Sequence, residues 1–206
     1  MKFLKTFEKF DKVAFHGWNM DPQDMKLPAC EIEWKDPSQD TGCPSFSDES
    51  KITYEDELKA IDYLNYEDIG TLIAYSRGAA ILLQSLAKGA EKPDFVYLVA
   101  PAWKRNWPTI NLTGKEVVGC KGYIIHGGCD DKVPLIHSVM LSKISGIPLY
   151  IFPECDHIDI LKHKDNIQGG KLVKNFDELL QNLPDWRGGD STNIDVEKQY
   201  QISKLI

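Results

Sequence analysis

The sequence lacks several features that would mark a specialised protein. Its five cysteines, Cys30, Cys43, Cys120, Cys129 and Cys155, are odd in number, widely scattered and free of any Cys-x-x-Cys pair. This argues against a disulfide framework or a zinc site and leads us to expect free, reduced thiols in a cytoplasmic protein. No apolar run approaches the roughly 20 residues that a membrane span needs, so no membrane partner is expected. Lys5, Glu8, Lys9, Asp11 and Lys12 interrupt what would otherwise be the apolar heart of a signal peptide. Basic clusters are missing too: 24 lysines and arginines against 31 acidic residues give a net charge of −7. A nucleic-acid binder depends on clustered cations to neutralise phosphates, so that class is set aside. Internal repeats and low-complexity tracts are also absent. What remains is 206 residues, 42% apolar and 27% charged, the balance of an ordinary globular protein. That length suits one domain over 1–206, with a core of about 12–184 and a tail over 185–206.

Short apolar runs rich in β-branched and aromatic residues recur along the chain at Val13-Ala14-Phe15, Glu31–Trp34, Thr71–Ala74, Phe95–Val99, Tyr123–Ile125 and Leu149–Phe152. Most lack polar alternation, which predicts strands covered on both faces, as in a parallel sheet. The second run alternates and suits a sheet edge. Between the runs lie helical patterns. Residues 53–65 open on Thr53 as N-cap and carry Tyr54, Leu58, Ile61 and Leu64 at helical spacing. Residues 77–89 are apolar nearly all round and stop at Gly89, while 134–146 start at Pro134 and stop at Gly146. Residues 171–183 form an amphipathic pattern. Strands alternating with helices predict an α/β three-layer sandwich with a mostly parallel, six-stranded sheet. Residues 35–50 read as a long exposed loop, 102–117 as a small flap, and the tail after Trp186 as loosely packed or in contact with another chain.

In an open parallel sheet, ligands bind beyond the carboxyl ends of the strands, so the turns there are where chemistry is sought. Ala74-Tyr75-Ser76-Arg77-Gly78 fits a nucleophile elbow, Gly-x-Ser-x-Gly, except that Ala74 takes the first glycine's place. A small residue suffices there because the turn is tight and the helix passes close to the strand. The elbow presents Ser76 at a helix N-terminus, whose dipole favours a developing negative charge. Further on, "YIIHGGCDDKVP" ends a strand in His126-Gly127 and offers Asp130 before Val133-Pro134. His157 follows the Leu149–Phe152 strand. His137 and His163 read as helical or loop surface and His126 as structural. Each piece has a plainer account on its own: a buried strand ending in a polar turn, an Asp-Asp-Lys turn, a structural histidine.

Together these stretches resemble the α/β-hydrolase family, from Val13 to about Leu183. His-Gly-x-x-Asp-x-x-Val-Pro resembles that family's acid loop, and Ser76, Asp130, His157 is the family's order of nucleophile, acid and base. The resemblance implies a catalytic triad of those three residues, with Asp131 a solvent-facing neighbour. It implies strands in the order second, first, third, fourth, fifth, sixth, without the family's antiparallel N-terminal strands and without a large lid. His16-Gly17-Trp18 is similar to the family's oxyanion turn, which implies backbone donors at Trp18 and Arg77, with His16 holding the turn. The activity implied is that of a small esterase-like serine hydrolase acting on a small-molecule acyl substrate, with no metal and no cofactor. The Arg77 side chain either pairs structurally with an acid or attracts an anionic substrate. Tyr75, Trp103 and Trp107, with Trp18, either line an acyl pocket or fill core and surface. Cys129 and Cys155, though beside Asp130 and His157, occupy no elbow and make poor rival nucleophiles. A thioesterase, peptidase or acyltransferase of the same fold stays open, as does a non-catalytic binding protein on a hydrolase fold.

Overall fold

The computed structural model describes residues 10–15, 17, 69–103, 112–163, 167–183 and 194–206. Five strands run parallel in chain order: β1 (Phe10–Phe15), β2 (Ile69–Tyr75), β3 (Phe95–Val99), β4 (Lys121–Gly127) and β5 (Leu149–Phe152). A two-residue strand, β6 (Lys171–Leu172), adds to β5 antiparallel. Helices α1 (Arg77–Ala87) and α2 (Leu135–Ser145) follow β2 and β4, and shorter α3 (Phe176–Asn182) and α4 (Val196–Leu205) follow the sheet. The chain is thus an α/β protein with a mostly parallel sheet.

The missing polar alternation is explained by burial on both faces. Leu72, Ala74, Val96, Leu98, Ile124, Leu149 and Ile151 point to one face, where they pack with Leu82 and Leu83 of α1 and Leu135, Val139 and Leu141 of α2. Ile73, Tyr75, Val99, Ile125 and Phe152 point to the other, against Ile160 and Leu161 of a short 3-10 turn over Asp159–His163. Removing each such aliphatic chain from water contributes about 1.5–3 kcal/mol, so the sheet centre holds the fold.

Helix ends follow their local signals. Gly89 (φ 97°) and Gly146 (φ 78°) stand in the left-handed region just past α1 and α2, where a Cβ would be strained. The amphipathic pattern of residues 171–183 predicts too long a helix. Lys171 and Leu172 pair with β5, the Val173 N–H donates to the Leu149 carbonyl, and α3 begins only after Asn175, whose side chain accepts from the Glu178 N–H. Sheet-edge pairing overrides helical periodicity there. The far end of the expected flap also packs inward, with Leu112 and Val117 in the core. The expected strand at Glu31–Trp34, the helix over 53–65 and the loop over 35–50 lie outside the described residues.

The tail is not loose where it is described. Its helix α4 buries Gln199, Ile202 and Ser203. His137, expected on a surface, is also buried in α2. Trp103 Nε1 donates to the His137 carbonyl at 2.9 Å, which ties the segment leaving β3 to that helix.

Candidate active site

The register brings the carboxyl ends of the parallel strands level, with Phe15 beside Ala74, Tyr75 beside Val99, and Gly127 beside Phe152. The segments leaving those ends therefore converge. Gly17, Ser76, Asp130 and His157 all lie on them.

Ser76 stands between β2 and α1 at φ 50°, ψ −113°, a conformation disfavoured for any residue with a Cβ. Neighbours fix it there. Its N–H donates to the Val99 carbonyl at 2.8 Å, and its own carbonyl accepts from Ala79 and Ala102 N–H at 3.2 and 3.0 Å. Close approach explains the flanking glycines. A Cβ on Gly78 would collide with the Phe15 carbonyl of β1, and one on Gly17 would come within 2.9 Å of the Tyr75 ring and 3.2 Å of Ser76 Cβ. Ala74, the departure from the usual pattern, is fully buried without difficulty.

Asp130 is completely buried and satisfied on every side. Its Oδ1 accepts from Lys132 and Val133 N–H at 2.9 and 2.8 Å, and its Oδ2 accepts from His157 Nδ1 at 2.7 Å. Burial alone would push this carboxyl up. The hydrogen bond from His157, the nearby His126 and His157 imidazoles and the Val133 N–H outweigh it and hold the acid below its ordinary range. With an ionised acid on Nδ1, the imidazole carries its proton there and leaves Nε2 as an acceptor. That nitrogen lies 3.1 Å from Ser76 Oγ. The structure thus brings together all three residues expected from the motifs, in an unbroken serine–imidazole–carboxylate line.

Two further groups brace this line. His126 is fully buried at the end of β4, with Nε2 3.0 Å from the Val133 carbonyl and Nδ1 2.7 Å from Ser138 Oγ. A carbonyl only accepts, so Nε2–H donates to it and Nδ1 accepts a hydrogen bond from the Ser138 hydroxyl. Burial lowers the pKa of His126 and keeps it neutral, despite Asp130 Oδ2 at 3.4 Å. The second is Asp156, whose Oδ1 accepts from Ile158 and Asp159 N–H at 2.8 and 2.7 Å and so shapes the turn around His157.

Several expectations need revision or fall outside view. Tyr75 is part of the core cluster on the face of the sheet that carries Ile73 and Phe152. It is buried, its hydroxyl donates to the His157 carbonyl at 2.9 Å, and its ring lies 4.9 Å from the imidazole. Burial, then the Asp130 and Asp156 charges, raises its pKa and keeps it a phenol. Trp103 is buried in the core among the helices that cover the sheet. Arg77 is the first residue of α1 and half-buried, and Asp131 is exposed and pairs with Lys132 at 2.9 Å. His16, Trp18 and Trp107 lie outside the described residues. Cys120, Cys129 and Cys155 are free thiols, and burial pushes the pKa of each up, away from thiolate chemistry. Among the described residues no cluster of His, Cys, Asp or Glu is arranged to hold a metal ion, and no helix is long and apolar enough to cross a membrane.

No family model and no curated protein matches the chain. Solved structures do. A Xanthomonas campestris pv. campestris protein assigned to the alpha/beta hydrolase superfamily superposes with a TM-score of 0.53 at 16% identity, over 84% of this chain and 99% of that one. The chain has the α/β-hydrolase fold. Looser matches are an alpha/beta hydrolase enzyme from a Medee basin deep-sea metagenome library and the esterase domain of a Rhodothermus marinus protein. The first is 24% identical with a TM-score of 0.37, over 50% of this chain and 49% of that one. The second is 13% identical with a TM-score of 0.44, over 81% and 87%. At those TM-scores neither adds to the assignment. In the α/β-hydrolase fold the turn after β2 and the loops after β4 and β5 meet at one rim, where Ser76, Asp130 and His157 stand.

Proposed function

We propose that this protein is a serine hydrolase that cleaves a carboxylic ester or a related acyl bond of a small molecule. The observation that carries this reading is the relay itself: Ser76 Oγ at 3.1 Å from His157 Nε2, and His157 Nδ1 at 2.7 Å from Asp130 Oδ2. A merely structural serine has no need of a strained backbone at a helix N-terminus. Here that strain turns its hydroxyl toward an imidazole already in the tautomer that can receive a proton.

In this mechanism His157 takes the Ser76 proton as the oxygen attacks the acyl carbon. Asp130 holds the imidazole in place and stabilises its cation. The tetrahedral oxyanion is met by backbone N–H groups of Arg77, at the start of α1, and of Trp18, next to the Gly17 that abuts the elbow. One such donor typically lowers the barrier by about 2.7–4 kcal/mol. His157 then gives the proton to the leaving group, and water, activated by the same imidazole, releases the acid and restores Ser76. The chemistry calls on no metal or organic cofactor. The odd number and wide scatter of the cysteines support a reducing, cytoplasmic setting.

A fluorophosphonate probe tests this reading directly. Covalent labelling of Ser76, together with turnover of p-nitrophenyl acetate that disappears in Ser76→Ala, is the expected result. A folded wild-type protein that takes no label at Ser76 would overturn it.

A further inference from the structure

The geometry points to Gln199 of α4 as a positioning residue for the acid of the triad, so that the C-terminal helix acts as a clamp on the acid loop. This inference rests on the functional reading above. Gln199 is only 2% exposed, and every hydrogen bond of its amide goes to one stretch of backbone. Its Nε2 donates to the carbonyls of Gly128 and Asp130 at 3.2 and 3.1 Å, and its Oε1 accepts from the Leu135 N–H at 2.7 Å. The side chain therefore bridges both ends of the turn that carries Asp130, from the residue that follows β4 to the first residue of α2. It also caps an N–H that α2 cannot satisfy internally.

A second observation ties the same helix to the loop of the base. Gly128 lies so close to α4 that a Cβ there would collide with Ser203 Oγ and would meet the Pro153 carbonyl at 2.5 Å. Gly128 N–H donates to the Phe152 carbonyl at 2.8 Å and Cys129 N–H to the Cys155 carbonyl at 2.9 Å, so the acid loop is laced to the segment leading to His157. Tyr200 of α4 donates to Glu154 on that segment at 2.8–2.9 Å. One helix thus grips the acid loop through a buried amide and the histidine segment through its surface. Without Gln199 the turn loses three anchors at once, and Asp130 drifts relative to His157. A drift of about 1 Å in a positioned group is enough to cost on the order of 100-fold in rate.

The test is Gln199→Met, which keeps the volume and loses all three bonds. The expected result is a folded protein whose kcat on p-nitrophenyl acetate falls about 10- to 100-fold while KM stays within about twofold. The far-downfield proton signal of His157 Nδ1–H, which reports its bond to Asp130, is expected to broaden or vanish. A lower melting temperature with wild-type kcat and an intact downfield signal would mean a structural role only and would overturn the inference. If Gln199→Met does not fold, Gln199→Asn, one methylene short of the loop, is read with the same signals and against the same two outcomes. The proton signal needs only Asp130 and His157, not turnover. A wild-type protein that takes no fluorophosphonate therefore defeats the proposed function, while the clamp still stands or falls on that signal.

Discussion

The proposed nucleophile and the proposed acid are held by different means. Ser76 is raised where a strand and a helix that follow one another in sequence join at that single residue, and main-chain bonds to Val99 and Ala102 hold it against its own backbone preference at φ 50°. Asp130 sits on an unstrained turn fixed from afar: by His157 27 residues on, and through its main chain by Gln199 69 residues on. The difference teaches that the fold bears Ser76 as a cost, whereas it draws stability from Asp130. Stability measurements therefore separate two side chains that activity measurements would group together.

The largest expected effect falls on activity. Ser76→Ala is expected to lower ester turnover by about 10³-fold or more while leaving a cooperative unfolding transition. A residual rate near wild type would break the comparison at its root. Asp130→Ala is expected to cost activity and also about 3 kcal/mol of stability in denaturant unfolding, because the Lys132 and Val133 N–H groups and the His157 imidazole all lose a buried acceptor. If Asp130→Ala proves no less stable than Ser76→Ala, the two regions do not differ as described.

Smaller effects sharpen the contrast. Ser76→Gly is expected to be about 1 kcal/mol more stable than Ser76→Ala, since only glycine takes φ 50° freely. Tyr75→Phe removes the one hydroxyl that links the elbow to the His157 carbonyl; a loss of about 1 kcal/mol and a several-fold drop in kcat are expected.

Acid sensitivity is expected in two steps, read from unfolding midpoints at pH 8 down to pH 3. Burial lowers the pKa of folded His126, so below the unfolded value of about 6.5 the unfolded chain takes a proton that the fold refuses, and stability falls with pH. The pKa of folded Asp130 is also lowered, so its contribution is present above about pH 4 and is lost as pH drops further. His126→Gln is expected to remove the first step and spare the second.

How much of this was legible in the sequence differs by region in the same way. The elbow is a local object. Ala74, Ser76 and Gly78 sit within five positions, and their sizes alone announce a tight strand-to-helix turn with close packing behind it. The five parallel strands and the two long helices are equally local, set by runs of apolar residues and by Gly89 and Gly146. For Tyr75 the sequence left pocket wall and core filler both open, since nothing next to it says that its hydroxyl meets a carbonyl 82 positions away. Gln199 left no trace either. A glutamine in a polar helix near the end of a chain looks like a solvated residue, and only docking buries it.

By itself, then, the amino-acid sequence determined the kinds of element, the order of the serine, acid and histidine, and the turn on which the serine is raised. Those follow from hydrophobic periodicity and from which residues tolerate a given backbone angle, both short-range properties. The tertiary structure alone decided that the imidazole lies 3.1 Å from the hydroxyl, that a tyrosine and a second histidine brace the relay, and that the last helix grips the acid turn. Such contacts join residues tens of positions apart. Their energies depend on burial and hydrogen-bond geometry, which exist only once the sheet has brought the loops to one rim.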